Sequence, residues 1–231
     1  MFYSLVTWGF FYVRLVGQPS SVDYAGITIN SFGEVLILLA VCSLAYRSTV
    51  ADTFRKWEAM SLKQRASRWI VCYVLPFHVL LNMNLIAYVP WLNINLGGYE
   101  DSRANAGTYI VYSFIGCGAL YLGFGLLRGL YRRGVWKLYA LLYSVAAASV
   151  LVSWALFPST AFHLHHTMLG AFFIPITGSP SSQAALAQAV ALGCFVQGYT
   201  RWGWSSYLDI IRTLLSPPPP PIRLESEHVR H

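Results

Sequence analysis

The chain has 231 residues, of which 56% are hydrophobic and 11% are charged, with a net charge of +7 and a mean hydropathy of +0.50. Soluble domains carry about 25% charged residues, so this composition excludes an ordinary soluble domain and indicates an integral membrane protein. The basic residues cluster between hydrophobic segments and form no continuous stripe, which argues against binding to nucleic acid.

Seven apolar segments follow one another along the chain, and a membrane-spanning helix needs roughly 17–25 residues. They lie at residues 2–17, 32–46, 69–90, 108–128, 136–157, 161–177 and 184–200. We therefore expect an all-α, polytopic bundle of six or seven transmembrane helices over residues 1–204. The first segment is interpreted as a retained helix, because no basic residue precedes it and no A-x-A cleavage site closes it. The last two segments either both span or form a re-entrant hairpin.

Two connections between these segments are dense in arginine and lysine. Connection 47–68 carries six basic residues and connection 128–137 carries four, out of sixteen in the chain. The positive-inside rule places both in the cytoplasm, and loop 91–107 then faces outward. Parity puts the start of the sixth segment and the end of the seventh on the outer side, so we expect the C-terminal tail to be extracytoplasmic or lumenal.

Small residues recur in three segments. The fourth segment has Gly116, Gly118, Gly123 and Gly125. The fifth has Ala146, Ala147 and Ala148, and the seventh has Ala185, Ala189 and Gly193. Because small residues let membrane helices approach closely, we expect these three segments near the centre of the bundle. Beyond the bundle, residues 205–216 are predicted to form an amphipathic interfacial helix, and residues 217–231 a flexible, proline-rich tail.

A histidine run opens the sixth segment and is the first candidate site. On a helix His163 and His166 share one face, and His165 points roughly the opposite way. Two imidazoles at this spacing can share a divalent metal, although a complete site needs further ligands. The four cysteines have no CxxC spacing and are interpreted as buried, reduced thiols. No cofactor is specifically indicated, a divalent metal stays open, and haem is disfavoured because His78 and the run lie at different depths.

Two further sets of residues stand out at membrane depth or at its edge. His78 and Asn82 share one face of the third segment, where such a pair usually hydrogen-bonds a neighbouring helix; a haem ligand, a proton relay or a solute path are the alternatives. Arg201, Trp202 and Trp204 follow the seventh segment and form a typical interfacial anchor that contacts lipid headgroups.

The final third of the chain contains His-Leu-His-His at 163–166, a Pro-Ile-Thr turn at 175–177 and Gln-Gly-Tyr-Thr-Arg-Trp-Gly-Trp-Ser-Ser-Tyr-Leu at 197–208. This pattern resembles the last membrane segments of fungal LCCL-domain-type membrane proteins, over roughly 50 of the 231 residues. The LCCL domain itself has no counterpart in this sequence. The resemblance implies a membrane location, and the matching positions are His165, His166, Pro175, Thr177, Gln197, Gly198, Arg201, Trp202 and Gly203.

No GxSxG, P-loop or GxGxxG motif occurs, and no catalytic residue is assigned. The leading hypothesis is a non-catalytic, multi-pass membrane component that acts through a protein partner, a lipid or a larger assembly. One alternative is a metal-dependent membrane enzyme with an outer-face histidine site. The other is a small-solute or ion pathway lined by His78 and Asn82. The expected partners are membrane lipids and another protein or a second copy of the chain, and not nucleic acid.

Overall fold

A computed structural model describes residues 1–16, 24–83, 106–156 and 166–202, and in these ranges the chain is helical, with short turns and no β-strand. The all-α class is therefore confirmed. The α-helices are α1 (Phe2–Val16), α2 (Tyr24–Ala45), α3 (Ala51–Arg55), α4 (Leu62–Trp69), α5 (Leu75–Leu81), α6 (Ala106–Arg132), α7 (Trp136–Leu156), α8 (His166–Phe173) and α9 (Ser182–Trp202). The interfacial helix and tail predicted over 205–231 lie outside the described residues.

Two of the helical segments pass through a wide π-helical turn. Tyr46–Val50 joins α2 to α3, and Ile70–Val74 joins α4 to α5. A π-helical turn contains about one residue more than an α-helical turn, so it rotates the face that the next helix presents. Pro76 follows the second turn at the beginning of α5, which is the part of a helix where proline is tolerated best.

The basic connection 47–68 is largely helical and is anchored to the core by aromatic side chains. α4 begins with a capping box, in which Gln64 N donates to Ser61 Oγ and Ser61 N donates to Gln64 Oε1, both at 3.4 Å. Trp57 is buried, and Phe54 stacks on Trp69 with their ring centroids 4.8 Å apart. This connection is therefore an ordered part of the fold.

α9 lies at the centre of the bundle and packs against α1, α5, α6 and α8. Ala185 and Ala189 are fully buried. A Cβ added at Gly193 would lie 2.7 Å from Leu80 Cβ and 2.8 Å from the Phe77 carbonyl oxygen, so the two backbones touch there. The expected central position of the seventh segment is confirmed.

The expectation that the fourth and fifth segments share this centre is wrong. A Cβ added at Gly116, Gly118 or Gly123 of α6 would meet nothing within 4 Å, and every residue from 112 to 120 is exposed. α6 instead packs on the start of α9 through its C-terminal half, where Leu126 and Leu130 are buried. Glycine spacing shows that close packing is sterically allowed, but it does not specify the partner helix.

The contacts define two ends of the bundle. At the first, which we call the basic end, Arg133 of the α6–α7 turn donates to the carbonyl oxygen of Gly178, and a Cβ at Gly178 would lie 2.6 Å from Thr49. At the opposite end Arg14 pairs with Glu34, and Tyr199 donates to the Glu34 carbonyl oxygen at 3.1 Å. The two basic connections therefore lie together, as the charge pattern predicts.

Two helical stretches are long and apolar enough to cross a membrane, Ser31–Arg55 and Tyr112–Arg132. Phe2–Val16 and Thr167–Thr177 are apolar but shorter. Only 11% of the most apolar window in the second long stretch is buried inside the protein. The core helix of a soluble protein would be mostly buried, so this surface needs another apolar environment. The count of six or seven spans stays a prediction.

Candidate functional site

His78 and Asn82 lie at the interface between α5 and α1. Trp8 Nε1 of α1 donates to His78 Nε2 at 2.9 Å, and one turn further along α1 the Tyr12 hydroxyl donates to Asn82 Oδ1 at 2.8 Å. Asn82 Nδ2 in turn donates to the His78 carbonyl oxygen at 2.8 Å. Two aromatic donors spaced four residues apart on α1 thus meet two polar residues that are also four apart, His78 in α5 and Asn82 directly after its last residue.

These bonds fix the tautomer of His78. An indole N–H can only donate, so the Nε2 atom that receives it carries no proton. The proton of the neutral ring is then on Nδ1, which lies 3.0 Å from the Val74 carbonyl oxygen and donates to it. Both ring nitrogens are occupied. This arrangement favours structural hydrogen bonding over a haem ligand or the lining of a solute path.

A second polar group is buried beside α9, nearer the basic end. The Tyr73 hydroxyl donates to Gln188 Oε1 at 3.3 Å, and Gln188 Nε2 donates to Thr177 Oγ1 at 3.0 Å. Thr177 Oγ1 donates to the Ile174 carbonyl oxygen at 2.6 Å, and Thr53 donates to the Thr177 carbonyl oxygen at 3.4 Å. These hydrogen bonds connect the π-helical turn Ile70–Val74, α9 and the turn after α8 to one another. Sequence reasoning missed it, although Gln188 is a polar residue within an apolar segment.

Gln197 contrasts with Gln188 on the same helix. Both side chains are fully buried. Neither Oε1 nor Nε2 of Gln197 has a hydrogen-bond partner in the part of the chain that the structure describes. An unpaired buried amide costs about 1–3 kcal/mol, so Gln197 is a destabilising position in the core.

α8 packs on α9 through glycine on each helix. A Cβ at Gly170 would lie 2.8 Å from Phe195 Cα, and a Cβ at Gly198 would lie 2.7 Å from the Thr167 nitrogen. The start of α8 therefore lies beside the end of α9, at the opposite end of the bundle from the basic connections. This places the backbone of His166 and the end of α9 at Trp202 in the same region, as parity predicts.

The predicted metal site falls largely outside the described residues. His163 and His165 lie outside the described residues, as does the side chain of His166. Among the residues that are described, no three His, Cys, Asp or Glu side chains are grouped so that they could hold a metal ion. The divalent-metal hypothesis and its three histidines stay predictions.

The predicted headgroup anchor is described only in part. Arg201 is exposed and engaged in an interaction, whereas the side chain of Trp202 and all of Trp204 lie outside the described residues. Its role in binding headgroups stays a prediction.

The α6–α7 hairpin is the most distinctive surface. Along α6 the exposed fraction is 75% for both Phe114 and Leu120. α7 touches the bundle through tyrosines, and Tyr139 donates to the Pro175 carbonyl oxygen at 3.1 Å. We call residues 112–120, with Gly123, the bare half of α6. Such an apolar surface marks an interaction site or a lipid-facing one.

No protein-family model, no curated protein and no solved structure matches this chain. The resemblance to LCCL-domain-type membrane proteins therefore stays a hypothesis that rests on the motifs of residues 163–208.

Proposed function

We propose that the protein is a non-catalytic, multi-pass membrane protein that acts as a subunit of a membrane assembly, in which a helix of another chain packs against the bare half of α6. The single observation behind this proposal is that α6 is exposed around its whole circumference over residues 112–120. Its glycines there touch nothing within the described protein.

Helix lengths support the membrane location. α6, α7 and α9 contain 27, 21 and 21 residues. At 1.5 Å per residue each is at least as long as the roughly 30 Å hydrocarbon core of a bilayer. The contacts at the two ends make successive helices alternate in direction, so six or seven passes fit the proposal, with the basic end in the cytoplasm.

The glycine spacing supports packing by a second helix. Gly116 and Gly123 are seven residues apart and so share one face, with Leu120 between them. Lipid chains cover an apolar helix without regard to side-chain size. A helix, by contrast, gains van der Waals contact where glycines expose the backbone. The bare half of α6 therefore suits a protein neighbour better than lipid alone.

Cross-linking in native membranes tests the assembly. In a Cys117→Ser background, Leu120→Cys places one thiol on the glycine face, and mild oxidation or a short bifunctional reagent should give a discrete product of higher mass. Leu36→Cys on α2, also exposed, serves as the control position. Gly116→Leu with Gly123→Leu should abolish the product, whereas Gly33→Leu, which also faces open space, should not. A monomer that resists cross-linking from Leu120→Cys would overturn the proposal.

Labelling from each side of the membrane tests the topology. Single cysteines at Lys56 and Arg132 should react with a membrane-impermeant maleimide from the same side, because both lie at the basic end. A cysteine at Val16, an exposed position at the opposite end of α1, should react from the other side. Reaction of all three from one side would contradict the multi-pass arrangement.

A further inference from the structure

A narrow groove runs between α7 and the stretch formed by the end of α8 and the turn that follows it, residues 171–175. Its volume is about 220 Å³, and it is lined by Tyr139, Leu142, Tyr143, Ala171, Phe172 and Pro175. Sites for drug-sized molecules usually measure about 300–1,000 Å³, so this groove fits a thin chain better than a ring system. It is open along the apolar surface of the bundle.

The polar groups in the groove are already satisfied. The Tyr139 and Tyr143 hydroxyls donate to the carbonyl oxygens of Pro175 and Phe172, respectively. The Phe172 ring meets the Tyr143 ring edge-on, with their centroids 5.2 Å apart. With the hydroxyls turned toward backbone carbonyls, the groove presents hydrocarbon and aromatic faces. Because its hydroxyl donors are already bonded, the groove suits an acyl chain better than a polar ligand.

Positive charge lies at one end of the groove. Tyr139 is in the first turn of α7, shortly after Arg132, the last residue of α6, and Arg133 of the α6–α7 turn, both of them exposed. Arg133 is joined to Gly178, three residues beyond Pro175. Within the described ranges no carboxylate pairs with these cations, and the ion pairs present are Arg14–Glu34 and Arg55–Asp52. Lys137, two residues before Tyr139, faces the other side of α7 and lies over the Trp136 ring, 5.8 Å from its centroid.

We propose that the groove and this turn bind one anionic phospholipid. One acyl chain lies between α7 and residues 171–175, and the phosphate-bearing headgroup lies against Arg132 and Arg133 at the basic end. The acyl chain of a neutral lipid would make the same contacts in the groove, but its headgroup would not be attracted by the arginines. Clusters of basic residues beside membrane helices favour anionic headgroups. The inference depends on the proposed membrane location, but not on assembly through α6.

Native mass spectrometry of the full chain in detergent measures this site directly. Phosphatidylglycerol is titrated against phosphatidylcholine of the same acyl chains, and we expect one adduct that forms at a lower concentration of phosphatidylglycerol. A cation near an anionic lipid contributes about 1 kcal/mol, or about fivefold in binding. Arg132→Gln with Arg133→Gln should therefore weaken the adduct by about 30-fold. Lys56→Gln with Lys63→Gln, which remove equal charge elsewhere at the basic end, should leave it unchanged.

The groove itself needs its own variants. Ala171→Phe fills it from the α8 side, and Leu142→Trp narrows it at an exposed position of α7, outside the buried core. Both should remove the tight adduct, while Ala148→Phe, roughly on the opposite face of α7, should retain it. Equal binding of the two lipids would overturn the proposal. So would normal phosphatidylglycerol binding by Leu142→Trp, because surface charge alone would then explain the effect. Loss of the α6 cross-link does not affect this measurement.

Discussion

Replacing the two buried glutamines of α9 by leucine should change stability in opposite directions. Gln188 bonds both Tyr73 and Thr177, whereas neither amide atom of Gln197 has a partner in the described chain. Gln188→Leu leaves the buried Tyr73 hydroxyl without an acceptor. Hydrogen bonds between membrane helices contribute on average about 0.6 kcal/mol and at most about 1.7 kcal/mol. Losing two of them should lower the free energy of unfolding by about 1–3 kcal/mol.

Gln197→Leu removes an amide that is desolvated without compensation, so the free energy of unfolding should rise by about 1–3 kcal/mol. The measurement is reversible unfolding in mixed micelles, with the SDS fraction as the denaturing variable. The two variants exchange the same pair of residues on the same helix, so differences in helix propensity and side-chain volume largely cancel. If both substitutions destabilise equally, the assignment of paired and unpaired amides is incorrect.

A double-mutant cycle isolates the bond between helices. Tyr73→Phe combined with Gln188→Leu should cost less than the sum of the single changes, with a coupling energy of about 0.6–1.7 kcal/mol. Thr200→Val is the matched control, because Thr200 is buried on the same helix but donates to Val196 of its own helix. Tyr73→Phe with Thr200→Val should be additive. Additive costs for Tyr73 and Gln188 would show that the two side chains act independently.

Two further predictions concern α1 and the backbone contacts of α9. In protein with ¹⁵N-labelled histidine, the NMR spectrum of His78 should be that of a ring protonated on Nδ1, and a ring protonated on Nε2 would exclude the bond from Trp8. Trp8→Phe should weaken this tautomer preference and lower the free energy of unfolding by about 0.6 kcal/mol. Gly193→Val should lower the free energy of unfolding by about 1–3 kcal/mol, because its side chain would meet the α5 backbone. Gly33→Val is the control and should be nearly neutral, because nothing lies within 4 Å of the added Cβ. Equal thermal stability of the two variants would contradict the packing of α5 on α9.

The sequence predicts where the helices lie much better than it predicts which faces meet. Segments 2–17, 136–157 and 184–200 correspond closely to α1, α7 and α9. Mean hydropathy over a window indicates that a segment lies in an apolar medium, but it does not distinguish lipid from the protein interior. The glycines in the bare half of α6 and the small residues of α9 therefore have the same appearance in sequence, although the former face outward and the latter pack in the core.

The candidate site shows the same division. Polar residues within an apolar segment single out His78 and Asn82, and their shared face correctly indicates a neighbouring helix. The partners Trp8 and Tyr12 could not be assigned, because tryptophan and tyrosine near a helix end are equally typical of an interfacial belt. Gln188 and Thr177 lie in different segments, and only the fold brings them together.

The π-helical turn at Ile70–Val74 makes the length of this stretch as important as its composition. Deleting one residue there would restore regular α-helical winding and rotate everything beyond it by about 100°. Phe77 would then leave α9 and His78 would leave Trp8, without any change in their identities. In a scan of single-codon deletions, this stretch should be among the least tolerant of the gene. Any homologous sequence that keeps the fold should align here without a gap.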